Sequence, residues 1–564
     1  MAEMTGAELF VEMLKRNGVK HIFGLCGDTT LPLYDALARL DHGMDHVLAR
    51  DERSAAYMAD AYARVTGKVG VCEGPSGGGA TYLLPGLVEA NESSIPVLGI
   101  TSDVAVTSRG KYPLTELDQQ ALYAPLTKWN TTIDLARQIP HAVRSAFRAM
   151  TTGRPGAAHI CLPYDVLRTS LHATDIWAQP EHSRYPAMRA AANSNDIDRA
   201  VSRLLQAKLP VIITGGGLIQ SGACDDLEAL ATALQAPVCT AVSGKGSLAE
   251  SHPLNVGVVG SNGGTPETRD VVKQADLIFF IGCRAGSTTT EHWRYPDASI
   301  TILHLDADSM VVGTSYPTDV GMVGDAKATL ALLNQCLQER LSERTSEAIA
   351  GQAIVQKAKA AKWANFQALA QSSDRPIKPE RVVDALNRLL PAQSVVVADP
   401  GTPCPYFSAY LDLPQAGRYF MTNRAHGALG FALSAGIGAQ FGRPDAMVVS
   451  LMGDGSFGFT CGELETLRRR DIPLKMIVFS NASFGWIKAS QRAGYDERYF
   501  SVDFGRSDHA RIAEAFGIKA YTVTDPADLD TTLKNAFAHD GPVLVDVISQ
   551  PLEQAAAPVS QWMG

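Results

Sequence analysis

Long apolar runs are missing from this chain, and no stretch approaches the roughly 20 residues that a bilayer-spanning helix needs. A basic excess is missing too. Lys and Arg number 50 against 59 Asp and Glu, a formal charge of −9, which argues against nucleic-acid or anionic-membrane partners because both want a basic face. Cysteine pairing is equally absent: the nine Cys are odd in number, scattered and without metal-ligand spacing, so reduced, mostly buried thiols in a cytoplasmic protein are expected. The His residues form no ligand cluster, which leaves a structural zinc unexpected. The layout of a secretory signal is not there either. Residues 1–19 mix acids with their apolar positions, and Thr5 with Glu8 makes a capping box for an amphipathic helix using Leu9, Phe10, Met13 and Leu14.

What is present is an ordinary globular composition, 46% hydrophobic and 19% charged, in a chain of 564 residues that is too long for one core. Helical patterns alternate with short apolar strands such as Val69–Cys72, Val97–Thr101 and Ala158–Pro163, then Pro210–Thr214 and Leu277–Gly282, then Val395–Ala398. The alternation reads as α/β, with doubly wound parallel sheets in three domains. The boundaries expected are 1–178, 190–340 and 375–550, with a polar linker over Gln179–Asn195, a helical Ala- and Lys-rich connection over Ala326–Asp374, and a tail over 551–564 without periodicity.

One stretch organises the rest. Met447–Met452 is a β-branched apolar run, Gly453-Asp454-Gly455-Ser456 follows, a helical run passes through Gly462–Leu467, and Lys475–Ser480 is a second apolar run ending at Asn481. Strand, helix, strand in this order makes a right-handed crossover, laying the two strands parallel with their carboxyl ends on one edge. Asp454 and Asn481, 27 positions apart (481 − 454), then come close together. A carboxylate and an amide oxygen are hard ligands suited to magnesium or calcium, and glycines beside them let the backbone approach an anion.

This Gly-Asp-Gly-Ser with its spaced Asn resembles the cofactor motif of thiamine-diphosphate enzymes, and the three-domain order resembles their acetolactate synthase branch over essentially the whole length. The resemblance implies that Asp454, Asn481 and the Ser483 carbonyl hold Mg2+, which in turn holds the diphosphate beside Gly453, Gly455 and Ser456. It implies a role for Glu52, in Arg50-Asp51-Glu52-Arg53 ahead of Ala55–Arg64: a buried acid hydrogen-bonding the pyrimidine N1′, with burial raising its pKa. His426–Ala432 matches the pattern in which the Gly427 carbonyl accepts from the 4′-amine and Leu429 is the wedge that bends the cofactor. Gly401 and Thr402 fall where diphosphate contacts are made, Arg284 matches an arginine that can meet a substrate carboxylate, and Trp486 lies on the helix after the motif.

Departures from the pattern stand beside these matches. Asp51 replaces the usual His, and Gly74-Pro75-Ser76 resembles a Gly-Pro-Gly stretch. Thr115, in Leu114-Thr115-Glu116, replaces the Gln that points at the reacting centre; Thr402 and Pro403 replace Gln-His; and Ser490 replaces a Trp that helps select the second 2-keto acid. The resemblance implies decarboxylating carboligation of a 2-keto acid, the cofactor accepting the electrons. Cleavage of a 2-hydroxyacyl-coenzyme A, or decarboxylation of oxalyl-coenzyme A, stays open because of Thr115, Thr402 and Ser490. A cofactor-binding protein without turnover would have lost Glu52 or a metal ligand, and both are kept. The resemblance also implies a dimer or tetramer, with each site built between the first domain of one subunit and the third of another. The glycines of the middle domain leave FAD, an ADP-like nucleotide or no ligand open.

Overall fold

The computed structural model describes residues 3–297, 299–343 and 349–562. Among them are three six-stranded sheets, each wholly parallel, and a small antiparallel ribbon pairing Glu3–Thr5 with Ser170–His172. Parallel sheets need both faces covered, and the strands Val97–Asp103, Ala158–Pro163, Leu277–Ile281 and Lys475–Ser480 are buried at every position. That is why these runs are predominantly apolar rather than alternating.

The first sheet runs in space Asp45–Leu48, His21–Gly24, Gly70–Gly74, Val97–Asp103, Ala158–Pro163, Trp129–Thr132. In chain order that is 2-1-3-4-6-5. The third sheet runs Phe420–Thr422, Val395–Ala398, Val448–Gly453, Lys475–Ser480, Val543–Ile548, Lys519–Val523, again 2-1-3-4-6-5. The middle sheet runs Asn255–Val258, Val238–Thr240, Pro210–Thr214, Leu277–Ile281, Thr301–Asp306, Val320–Val323, the 3-2-1-4-5-6 order of Rossmann folds. The α/β class with three doubly wound parallel sheets holds. The shared order of the outer two is a kinship with no visible sequence repeat behind it.

The chain packs as two compact units, one of Met1–Met188, Asn423–Asp445 and Thr460–Ile472, the other of the remainder. In the first unit the capping box of Thr5 and Glu8 forms as expected and starts the helix Gly6–Arg16. The helix Glu52–Thr66 is its axis. Its alanines let the helix Phe431–Gly442 lie directly on it: a Cβ on Gly438 would stand 2.0 Å from the Met58 carbonyl oxygen. Only glycine permits that approach.

In the second unit the strands Val448–Gly453 and Lys475–Ser480 are immediate neighbours, with Gly453 opposite Phe479. The helix between them starts earlier than its periodicity suggests. It begins at Asp454, runs to Thr460, breaks in a 3-10 turn at Cys461–Glu463 and resumes over Leu464–Arg469. Thr460–Ile472 belong to the first unit, where the Glu463 carboxylate is taken up by the Arg50 N–H and the Thr466 hydroxyl. Two helices, Ala326–Arg340 and Gly351–Ala370, occupy the expected Ala- and Lys-rich connection. All nine cysteines are unpaired thiols, and among the described residues no helix is long and apolar enough to cross a membrane.

Candidate active site

In the second unit, strand ends at the switch point of the third sheet supply the candidate residues. Val395–Ala398 and Val448–Gly453 are neighbours whose connections leave in opposite directions, the place where doubly wound sheets open a crevice. Asp399, Gly401 and Thr402 follow the first strand, Gly453 to Ser456 end the second, and Asn481 follows Lys475–Ser480. Asp454 is buried, and its carboxylate is aimed by three backbone donors. The Gly455 N–H donates to Oδ1 (2.8 Å), and those of Asn481 and Ala482 donate to Oδ2 (2.8 and 2.6 Å). Burial pushes the Asp454 carboxyl up from its ordinary range, while these amides pull the other way.

Asn481 sits against Asp454, as the crossover geometry requires. Its Nδ2 donates to the Thr402 hydroxyl at 3.3 Å, and its Oδ1 accepts from the Ser483 N–H and hydroxyl at 3.3 and 3.2 Å. Between them Ala482 adopts a left-handed φ of 56°, a conformation costing a non-glycine residue about 1 kcal/mol or more. The kink is held from outside the motif: the Phe484 N–H donates to the Val502 carbonyl and the Phe504 N–H to the Ala482 carbonyl. Ser456 ties the strand ends together, donating to Asp399 Oδ2 at 2.6 Å.

The glycines here have different reasons. A Cβ on Gly401 or Gly453 would meet nothing within 4 Å, so both face open space, whereas one on Gly455 would strike the Phe484 ring at 2.8 Å. The donor set suits a diphosphate held through a hard cation, since a carboxylate, an amide oxygen and a carbonyl lie in one loop pair beside open backbone. No group of three or more His, Cys, Asp or Glu able to hold a metal gathers among the described residues. A cation held at Asp454 would have to draw its other ligands from neutral oxygens and from a bound anion.

In the first unit, Glu52 opens the helix Glu52–Thr66 and is only 7% exposed. Asp51 is the N-cap and accepts from the Arg53 N–H at 2.8 Å. The stretch Gly74–Thr81 makes room for the acid: Cβ atoms on Gly74 and Gly79 would stand 3.2 Å from Glu52 Cγ and 3.0 Å from Glu52 Oε1. Burial, with the nearby Asp51 and Glu73 charges, raises the Glu52 pKa from its usual range. Gly427 and Leu429 lie in a loop of this same unit, fixed by the His426 N–H on Glu89 Oε2 (2.7 Å) and by Asn423 Nδ2 on the Ala428 carbonyl (2.5 Å). Leu429 is half-buried at the loop, and Gly427 is exposed with φ 75°.

The remaining candidates are spread out. Thr115 has a left-handed φ of 71° and bonds Ser76 Oγ at 2.7 Å; Ser76 in turn meets Thr29, whose hydroxyl reaches Ser102 at 2.6 Å. Trp486 and Ser490 lie on the helix Gly485–Gly494, which begins four positions after Asn481 (485 − 481). Arg284 is exposed in the turn after Leu277–Ile281, on the middle sheet rather than the third. The middle domain's glycines answer a packing need. A Cβ on Gly215 would lie 2.2 Å from the Gly282 carbonyl oxygen, and the Gly217 N–H donates to that same oxygen.

Three family models cover the chain in order: the thiamine pyrophosphate enzyme N-terminal TPP binding domain over residues 4–122, the central domain over 197–333 and the C-terminal TPP binding domain over 399–547. The chain belongs to the thiamine pyrophosphate enzymes. Its relatives place it in the acetolactate-synthase-like branch. It is 34% identical to a probable acetolactate synthase large subunit of Methanococcus aeolicus, covering 97% of this chain and 92% of that protein. It is 31% identical to the acetolactate synthase isozyme 3 large subunit of Escherichia coli, with 95% and 93% covered. Against the acetolactate synthase large subunit of Lactococcus lactis the identity is 32%, with 96% and 92% covered. In this thiamine-pyrophosphate-dependent enzyme Glu52 falls within the N-terminal match, and Asp454 and Asn481 fall within the C-terminal one.

Several residues that shape these sites escape sequence reasoning. Glu463 and Glu89 act on Arg50 and His426 across 413 and 337 positions, so no local pattern marks them. Behind Asn481, Ser480 Oγ donates to Asp546 Oδ1 (2.5 Å) and lies 2.9 Å from His509 Nδ1. Glu73 accepts from the Tyr34 hydroxyl and lies 3.2 Å from His46 Nε2, buried on a strand whose apolar neighbours hide its significance.

Proposed function

We propose that this enzyme uses thiamine diphosphate and Mg2+ to decarboxylate a 2-keto acid and join the remaining fragment to a carbonyl acceptor, as an acetolactate synthase does. The observation that carries the reading is the aimed Asp454 carboxylate beside Asn481 at the switch point, in a chain that also buries Glu52. Asp454, Asn481 and the Ser483 carbonyl would hold the cation; Gly401, Thr402, Gly453, Gly455 and Ser456 would line the diphosphate. Thiamine diphosphate bound there would supply an electron sink for the carbanion left when carbon dioxide departs.

The chain's own residues do the rest. Glu52, whose carboxyl burial pushes up from its ordinary range, is the acid placed to hydrogen-bond the pyrimidine N1′. The Gly427 carbonyl is an acceptor for the 4′-amine, and Leu429 is the apolar wedge that bends the cofactor. Thr115, Arg284, Trp486 and Ser490 are assigned to the substrate side. Self-association that brings Glu52 of one subunit to the diphosphate residues of another completes the reading. Close packing accounts for Gly215 and Gly217.

The test is to load the protein with thiamine diphosphate and Mg2+ and supply pyruvate. Carbon dioxide release with a product that yields acetoin on acidification is expected. Turnover of 2-hydroxyacyl- or oxalyl-coenzyme A, with none of pyruvate, overturns the reading in favour of the lyase chemistry.

A further inference from the structure

The first unit buries a cluster of charges that the proposed chemistry does not use. Arg64 lies twelve positions after Glu52 on the helix Glu52–Thr66 (64 − 52), and its side chain is only 4% exposed. Its Nε donates to Asp60 Oδ2 at 2.7 Å and its Nη2 to Glu89 Oε1 at 3.1 Å, and both acids are fully buried. Glu89 belongs to the helix Leu84–Glu92, and Ser93 Oγ donates to the same Oε1 at 2.6 Å. The other oxygen faces a different segment. Glu89 Oε2 accepts from the His426 N–H at 2.7 Å, in the loop that carries Gly427 and Leu429. The Arg64 guanidinium also stands 5.9 Å from the centre of the Phe431 ring, where the helix Phe431–Gly442 begins. One buried pair thus meets this loop at both His426 and Phe431.

Arg64, Asp60 and Glu89 together carry a formal charge of −1 (1 − 2) in a site closed to water. Burying charge is costly, and a neutral Gln would fill the space of Glu89. What the carboxylate adds is grip, because a backbone N–H bonds a charged oxygen about twice as strongly as a neutral one. The residue after that N–H needs the grip. Gly427 has no side chain to anchor it, sits at a left-handed φ of 75° and faces open space. We propose that the buried Arg64–Glu89 pair is a positioning device for the Gly427 carbonyl, fixing its loop against the helix that opens with Glu52. The inference rests on the proposed function, in which that carbonyl meets the 4′-amine. It extends that reading by giving a part in turnover to two side chains buried beneath the loop.

The test is Glu89→Gln, which removes the charge, keeps the shape and leaves Arg64 its bond to Asp60, so the fold should survive. Amide hydrogen exchange in cofactor-free protein is measured first. Exchange over residues 424–430 should rise about 10-fold or more, the worth of one bond to a charged group, and stay at the wild-type level over Glu52–Thr66. Turnover is measured next, with wild type and variant both saturated with thiamine diphosphate and Mg2+. The value of kcat should fall about 10- to 100-fold, the cost of displacing a reacting group by about an ångström, while KM for the 2-keto acid holds. A loop that exchanges as slowly as in wild type overturns the inference. So does a faster-exchanging loop with full kcat, which would leave the pair a structural role only. Exchange rising equally over Glu52–Thr66 would mean general loosening and also overturns it. If Glu89→Gln does not fold, Glu89→Asp keeps the charge but draws it back from His426, and it is held to the same outcomes. If wild type turns over acyl-coenzyme A esters and not pyruvate, the proposed function fails alone; the exchange result stands, and kcat is read on those esters.

Discussion

Glu52 stands at a helix N-terminus, where the dipole favours a charged carboxylate, yet burial and two neighbouring acids push the other way. Burial wins. Because the folded protein holds the proton to higher pH than the unfolded chain does, the unfolded state binds fewer protons across that window. Stability from this group is therefore full below the ordinary glutamate pKa and falls as pH rises through the raised folded value. Glu52→Gln should flatten that fall, seen as thermal midpoints that depend less on pH than those of wild type. The same variant should lower kcat/KM by roughly 10²- to 10⁴-fold, the usual worth of a positioned acid or base. Retention of full activity would remove Glu52 from the chemistry. Asp454→Ala removes the acceptor of three backbone amides, so it should loosen the turn at Asn481 and Ala482 as well as abolish Mg2+-dependent cofactor binding, measured by calorimetry. Asp454 and Asn481 were legible because motif and spacing are local. Their aiming was not, since Val502 and Phe504 hold the kink at Ala482 from another segment.

Among elements, the closest packing joins the helices Glu52–Thr66 and Phe431–Gly442. The alanines of the first are visible in the sequence as a small-residue face. The partner that needs them lies some 370 positions later (431 − 61), and no periodicity connects the two. At Gly438 an added methyl meets backbone, which cannot step aside. Gly438→Ala should therefore destabilise the first unit by about 3 kcal/mol or more, and amide exchange should rise across both helices together. A variant as stable as wild type would mean the helices stand further apart. The loop carrying Gly427 and Leu429 precedes the second helix, so loosening this pair should also weaken cofactor binding.

For the whole molecule, the same 2-1-3-4-6-5 order in the first and third sheets puts chemistry-bearing loops at strand carboxyl ends twice over. A ligand bound only by the folded state stabilises by mass action, about 2.7 kcal/mol at 100-fold over its Kd. Thiamine diphosphate with Mg2+ should raise the thermal midpoint of wild type but not of Asp454→Ala, and Mg2+ alone should do little. Self-association makes a further prediction. Specific activity should fall on dilution in step with the loss of the assembled species in sedimentation. Activity that persists in a fully monomeric sample would separate the site from assembly.

Read alone, the sequence determined the α/β class, the crossover that seats Asp454 beside Asn481, the capped first helix and the helix-start position of Glu52. Each depends on periods and spacings shorter than about 30 residues, which the chain carries locally. Tertiary structure alone decided that Gly74 and Gly79 make room for the glutamate, that Glu463 and Glu89 steady the loops around the site, and that Trp562 lies against Trp486. Those are contacts between segments far apart in the chain, fixed by packing, and no local pattern records which distant side chain will fill a given space.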